Sequence, residues 1–313
     1  MSSKFSIVSF FERLFFKPNP SDWVIIFFLS PISILFGTIM FFRRVLTPKK
    51  EYPIPIVSIG NLTVGGSGKT PFVIELASRY NNSCIVSRGY GRESRGLVEV
   101  SYQGEILTDV LHSGDEPMLM AKSLPNASVI VSEDREKAIN LAIEQGAKVI
   151  FLDDGFNRVN IKKFDILLFP ENIKNFMPFP VGPFREFIFT KSFADLNLIE
   201  NRDFKRVVTI KNPTKRMLLV TAISNPKRLE PFLPDNIVGK VYLKDHAYFD
   251  ESELLEKMQR SKATSLLITQ KDEVKMVGFE LVFSIMELKL EIKNNILEDI
   301  NNYITNFSFA HSH

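Results

Sequence analysis

Hydrophobic positions along this chain follow three different rhythms. From 23 to 42 there is no charged residue at all, and Arg43, Arg44, Lys49 and Lys50 follow at once. At about 1.5 Å per residue such a run reaches about 30 Å as a helix, the thickness of a bilayer core. The next rhythm is a β-branched run, Ile54, Ile56, Val57 and Ile59, which predicts a buried strand of a parallel sheet. A glycine-rich turn follows, and then helical spacing of Phe72, Leu76 and Tyr80 over 71–80. From there short apolar runs alternate with helical patterns. Strands are predicted at 83–86, 126–131, 149–152, 165–169 and 194–199, with helices at 118–123 and 137–145. After a polar segment at 205–216 the alternation restarts, with strands at 217–221, 238–243 and 265–269 and helices at 225–233, 251–260 and 294–306.

This pattern predicts an α/β fold: a P-loop NTPase-like parallel sheet with helices on both faces, and a second, smaller α/β domain. An N-terminal membrane-associated helical segment precedes both. The divisions expected are 1–45 for the apolar helices, 46–212 for the core and 213–313 for the smaller domain, with a hinge near 211–216. Two arrangements of the apolar segment are consistent with its sequence. One is a single transmembrane helix whose basic flank stays in the cytoplasm. The other is a pair of surface-lying helices broken at Ser30-Pro31, with Arg and Lys on lipid phosphates. Either one places the rest of the chain at the cytoplasmic face of the membrane.

Composition alters little. The 313 residues are 45% hydrophobic and 24% charged, values of a globular protein. A net charge of +3 is too small to argue for nucleic acid as a partner. The single cysteine, Cys84, lies in an apolar run and reads as a small buried hydrophobe in a reducing compartment.

The candidate chemistry starts at 54–70. Gly65, Gly66, Ser67 and Gly68 follow the strand, and Lys69 and Thr70 open the helix, which together make a P-loop. Glycines let backbone N–H groups wrap a phosphate, the helix start adds donors, Lys69 neutralises the β- and γ-phosphates, and Thr70 offers a hydroxyl to Mg²⁺. Thr63 stands where the general pattern has its first glycine. The strand at 149–152 ends in Asp153 and Asp154, the acid that a Walker B strand carries to the metal. Arg88, Arg92 and Arg95 follow the strand at 83–86, where ligands gather at the carboxyl ends of open sheets. Gly114-Asp115-Glu116-Pro117 is a turn into a helix with acidic residues at its favourable end. The proline-rich, aromatic stretch at 176–187, which includes Arg185 and Glu186, reads as a surface for something apolar with polar groups attached. Asp245-His246 follows a strand. Thr269-Gln270-Lys271-Asp272 has the form of a guanine-reading motif, but neither Asp153 nor Asp154 begins the Asp-x-x-Gly switch that a GTPase needs.

With these pieces placed, the chain resembles the tetraacyldisaccharide 4'-kinases, the lipid A 4'-kinases of Gram-negative bacteria. The stretches that carry the resemblance are 57–70, Ser87-Arg-Gly-Tyr90, Gly114-Asp-Glu-Pro117, Ser132-Glu-Asp-Arg135, Asp153-Asp-Gly-Phe156, Phe184-Arg-Glu186, Asn225-Pro-Lys-Arg228, Asp245-His246 and Lys271-Asp272. The Gly-Asn-Leu-Thr-Val-Gly-Gly-Ser-Gly-Lys-Thr form belongs to that family and accounts for Thr63. The resemblance implies a membrane-associated enzyme of lipid A biosynthesis at the inner membrane, and a monomer is expected. It would use ATP and Mg²⁺ to phosphorylate the 4'-hydroxyl of an acylated glucosamine disaccharide 1-phosphate.

It also implies roles. Asp115 and His246 become the couple that deprotonates the sugar hydroxyl, with Lys69 and Asp154 completing the catalytic set. Thr70, Glu116, Asp153 and Asp154 become the Mg²⁺ oxygens, and Arg88, Arg135, Arg185 and Glu186 the contacts to the disaccharide and its phosphate. Two stretches depart from the family form: Asn157-Arg158 follows Phe156, and Thr221-Ala-Ile-Ser-Asn-Pro226 replaces a glycine-rich turn. The rival reading is a membrane-recruited P-loop ATPase switch acting on a protein partner.

Overall fold

The computed structural model describes residues 10–64, 68–171 and 173–308. In chain order the elements are α1 (Asp22–Leu46), β1 (Ile56–Gly60), α2 (Lys69–Ala77), β2 (Ser83–Ser87), β3 (Val98–Tyr102), β4 (Glu105–Ile106), α3 (Val110–Ser113) and α4 (Asp115–Ser123). Then come β5 (Ala127–Val131), α5 (Arg135–Glu144), β6 (Val149–Asp153), β7 (Phe164–Phe169), β8 (Leu196–Ile199), β9 (Phe204–Lys211), β10 (Met217–Thr221) and β11 (Ile237–Tyr242). The last are α6 (Glu251–Ser261), β12 (Ser265–Thr269), α7 (Gln270–Glu273), β13 (Phe283–Ile292) and α8 (Asn294–Thr305). The chain divides into two compact units. One takes in the chain up to Lys69, Asp154–Phe204 and the stretch from Ile292; the other holds Thr70–Asp153 and Lys205–Glu291.

In the first unit β1 pairs in parallel with β7, and β7 with β8. All five residues of β1 are buried, which is why its sequence shows no alternation. Leu62, Phe156, Leu167, Phe169 and Phe184 form the core beside these strands. Gly60 ends β1 where a Cβ would lie 2.7 Å from Phe156 Cβ, so the glycine is set by packing.

Helix α1 is continuous for 25 residues with Pro31 inside it, so the expected break at Ser30-Pro31 is absent. The reason is local. Pro31 has no N–H for the carbonyl of Phe27, and the Ser30 hydroxyl donates to that oxygen instead, at 2.7 Å. Asp22, Ile26, Ser33, Gly37 and Arg44 are buried and share one face along the helix. Ser33 Oγ accepts the N–H of Val181, and a Cβ on Gly37 would meet the Phe187 ring at 2.7 Å. The opposite face, including Phe27, Phe28, Leu35 and Ile39, is exposed. Phe36 and Phe41 reach the rings of Phe179, Phe189 and Phe193, which are themselves partly exposed.

In the second unit five strands run in the order β4-β3-β5-β2-β6, with β2 parallel to both β5 and β6. The same unit carries a second sheet, β11-β10-β12-β13-β9. Strand β10, second in that order, is buried on both faces. Leu218 and Val220 point to a core with Leu254, Met258, Leu266, Ile268 and Met276, while Met217 and Leu219 join Leu267 and Met286. The helix expected at 225–233 is a 3₁₀ segment, Pro226–Phe232, since Pro231 inside it lacks the N–H that an α-helix would give to the Lys227 carbonyl. Strands β3, β4, β9 and β13 were not predicted.

Candidate active site

In the first unit the loop after β1 brings together two cations and one carboxylate. Gly65, Gly66 and Ser67 lie outside the described residues, so the cradle is seen from its flanks. Gly68 has φ +80°, a conformation that favours glycine. Lys69 opens α2, and its Nζ donates to Asn61 Oδ1 at 3.0 Å and lies 3.4 Å from Asp154 Oδ1. Arg185 Nη1 donates to both Asp154 oxygens, at 3.1 and 2.9 Å. Burial alone would raise the Asp154 pKa, but Lys69 and Arg185 outweigh it and hold the carboxyl below its ordinary value. One carboxylate between two cations leaves a net positive site, which suits a phosphate.

Glu186, next in the chain, is fully buried and has a partner of its own. Arg44 holds its carboxylate in a bidentate pair at 2.7 Å for each oxygen. Arg44 also donates to Phe156 O and lies 3.9 Å from the centroid of the Phe156 ring. The Glu186 side chain thus anchors the last turn of α1.

The second unit carries the other candidate residues. Gly114, at φ +88°, turns the chain into α4 and puts Asp115 in its first turn. Asp115 is buried, and its Oδ2 lies 3.0 Å from His246 Nδ1. Lys275 Nζ stands 3.4 Å from the same oxygen. Burial would push the Asp115 carboxyl up, but the His246 hydrogen bond and the Lys275 and Lys271 charges hold it down at about 2. An ionised carboxylate only accepts, so the hydrogen of this bond sits on the imidazole Nδ1. The other ring nitrogen, Nε2, is 3.6 Å from Asp245 Oδ2. His246 follows β11 and has φ +61°, an unusual conformation for a residue with a Cβ. Tyr90 lies against it, ring centroids 5.4 Å apart.

The remaining predicted residues are less alike than their sequence contexts. Asp153 ends β6, buried, and accepts the Ser87 hydroxyl at 2.9 Å. Thr70 is half-buried in the first turn of α2. Glu116 accepts from Lys271 at 3.1 Å, and that carboxylate offsets the burial of Lys271, whose pKa is raised. Arg88 is exposed just beyond β2. Arg92 is committed to Glu133 and to the carbonyl of Gly96. Arg135 is buried, donating to Ser132 O. Sequence reasoning overlooked Arg44, Asn61 and Lys275. Asn61 stood inside the Gly-Asn-Leu stretch, and Lys275 stood out as a charge between Val274 and Met276.

Among the described residues no three His, Cys, Asp or Glu side chains converge as a metal cage. Magnesium asks for none: it keeps several waters and binds phosphate oxygens with one or two protein oxygens. The Thr70 hydroxyl and the Asp153 carboxylate, a hard-oxygen pair at the start of α2 and the end of β6, are donors of that kind.

A parallel sheet whose first strand leads through glycines into Lys-Thr and a helix, with a strand-terminal aspartate, defines a P-loop phosphotransferase. Residues 25–212 match the family model described as Tetraacyldisaccharide-1-P 4'-kinase. A tetraacyldisaccharide 4'-kinase of Helicobacter acinonychis is 47% identical, with 96% of each chain covered. One of Aliarcobacter butzleri is 46% identical over 95% of this chain and 97% of its own. The chain belongs to the tetraacyldisaccharide 4'-kinase family. Among solved structures, LpxK of Aquifex aeolicus in complex with ATP superposes with a TM-score of 0.75 at 28% identity, over 88% of this chain and 98% of that one.

Proposed function

We propose that this protein transfers the γ-phosphoryl group of ATP to the 4'-hydroxyl of a tetraacylated glucosamine disaccharide 1-phosphate. The observation that carries the reading is the hydrogen bond between Asp115 and His246, 131 positions apart in sequence. A P-loop explains ATP, but only an acceptor hydroxyl calls for a buried carboxylate–imidazole couple. The sugar hydroxyl gives its proton to that couple as its oxygen attacks the γ-phosphorus and the bond to the β-phosphate oxygen breaks. Asp115 stays ionised, fixes the imidazole and offsets the charge that it gains. Lys69 and Arg185 offset charge on the transferring group and the leaving diphosphate.

Thr70 and Asp153, with Asp154 next in the chain and Glu116 in the first turn of α4, would hold Mg²⁺, which would supply positive charge to the phosphates. Arg88 and Arg185 serve the substrate's anionic groups. Arg135, buried on Ser132 O, and Glu186, bound to Arg44, act within their own units by holding the chain beside them.

In this reading residues 1–45 serve the lipid, 46–212 form the kinase core and 213–313 bring His246. The enzyme works as a monomer at the cytoplasmic face of the inner membrane, where ATP is. Helix α1 lies along the membrane surface instead of crossing it. A spanning helix presents every face to lipid, whereas α1 buries a stripe from Asp22 to Arg44 on its own unit, over about 33 Å. The test is an assay with γ-labelled ATP and the acylated disaccharide 1-phosphate. Label should appear in the lipid. ATP turnover indifferent to the lipid would instead favour a switch acting on a protein partner.

A further inference from the structure

Lys275 has a side chain with no exposure at all, a costly place for an ammonium group. Its Nζ donates to the carbonyl of Ala247 at 3.1 Å and lies 3.4 Å from Asp115 Oδ2 and 3.7 Å from Asp272 Oδ1, with the Phe249 ring centroid at 5.1 Å. Asp272 is equally buried. It accepts the hydroxyls of Thr221 and Thr269, each at 2.7 Å, and the N–H of Ala222 at 3.0 Å. These bonds use up the carboxylate that resembled a guanine reader. The carbonyl of Ala222 in turn receives the His246 N–H at 3.1 Å. The chain on either side of His246 is thus tied to one cluster: Ala222 through Asp272, Ala247 through Lys275. Such ties are what a residue at φ +61° requires, since the left-handed conformation costs about 1–2 kcal/mol.

We propose that Lys275 is a positioning residue for phosphoryl transfer: its ammonium joins the Asp115 carboxylate to the Ala247 carbonyl and so sets His246 Nδ1 against Asp115. The inference rests on the reading of Asp115 and His246 as the proton-accepting couple. Stability gives little reason for a lysine here, because well-packed apolar groups often replace buried ion pairs without loss. Register between two catalytic groups does give one. Lys275 reaches no reacting atom and acts through Asp115 and the loop that carries His246.

The test uses the full chain with ATP and the acylated disaccharide 1-phosphate, comparing Lys275→Met, Lys275→Gln, Asp115→Asn and Asp115→Asn/Lys275→Met. The Lys275 variants should lose at least about tenfold in kcat, with KM for either substrate within about threefold. Because Lys275 acts through Asp115, adding Lys275→Met to Asp115→Asn should cost less than about a further threefold. Imidazole ¹⁵N spectra should show the His246 Nδ1 signal displaced in Lys275→Gln. Losses that multiply in the double variant, or kcat within twofold of wild type in Lys275→Gln, would overturn the proposal. If Lys275→Met does not fold, Asp115→Asn against the double variant decides the matter, since there no charged Asp115 is left unpaired. Unchanged kcat in Asp115→Asn alone would overturn the underlying base reading and this proposal with it.

Discussion

Glu186 offers the sharpest separation between a residue that touches substrate and one that holds the fold. Its carboxylate is fully buried and both oxygens sit 2.7 Å from the Arg44 guanidinium, whose side chain is 6% exposed. Glu186→Gln keeps the shape but removes the charge. Arg44 then stays buried beside an uncharged amide, the Phe156 carbonyl and the Phe156 and Phe193 rings. Breaking one side of a buried pair typically costs about 3–5 kcal/mol, mostly through the charge left behind. At about 2–4 °C per kcal/mol for a chain of this size, the midpoint of thermal unfolding should fall by about 6–20 °C. Arg44→Met/Glu186→Leu removes both charges and fills similar volume, so most of that loss should return. Below its unfolding range Glu186→Gln should keep its KM for the lipid. The assay is circular dichroism melting alongside steady-state kinetics. A melting shift under about 2 °C, together with a tenfold rise in the lipid KM, would refute the argument and return Glu186 to the substrate.

Lys69→Ala should lose at least about a hundredfold in kcat, roughly 2.7 kcal/mol of transition-state stabilisation, read in the labelled-ATP assay. Asp115, held at about 2, contributes stability that is present above the unfolded carboxylate pKa and is lost as the pH falls through the folded one. The urea stability gap between wild type and Asp115→Asn should therefore be flat above about pH 5 and shrink by about 2 kcal/mol between pH 4 and pH 2. Replacing Phe27, Phe28, Leu35 and Ile39 by serine should abolish co-flotation with anionic vesicles and leave the melting midpoint nearly unchanged, because all four are exposed. Deleting the whole helix would be the poorer experiment, since it strips the partners of Val181, Phe187 and Glu186.

How much of this was legible in sequence follows from how local each signal is. The P-loop, β6 with its aspartates, and the turn into α4 are contiguous stretches in which every residue type has a nearby reason; β6 runs one residue past its expected end, α2 starts two residues early and ends three early, and α4 starts three early. The strand β9 was passed over because Lys205, Arg206 and Lys211, with the polar residues that follow to Arg216, make the segment read as a polar linker. In β13 the alternation of Met286, Leu288, Leu290 and Ile292 with Glu287, Lys289 and Glu291 was available and went unused. Pro31 suggested a break because proline's missing donor is visible in sequence, whereas the Ser30 hydroxyl that stands in for it shows only in three dimensions. Within the site the same limit applies with more consequence. Asp115 and His246 could be paired in advance only through family resemblance, for nothing in either local sequence points to the other. Arg44 was read as part of the basic flank of the apolar segment, and Lys275 was not singled out, until their surroundings were seen. A buried charge is identified by what lies against it, often more than a hundred positions away. Sequence therefore finds the groups that contact phosphate through their own loop, and structure is needed to find those that keep the base couple and the membrane helix in register.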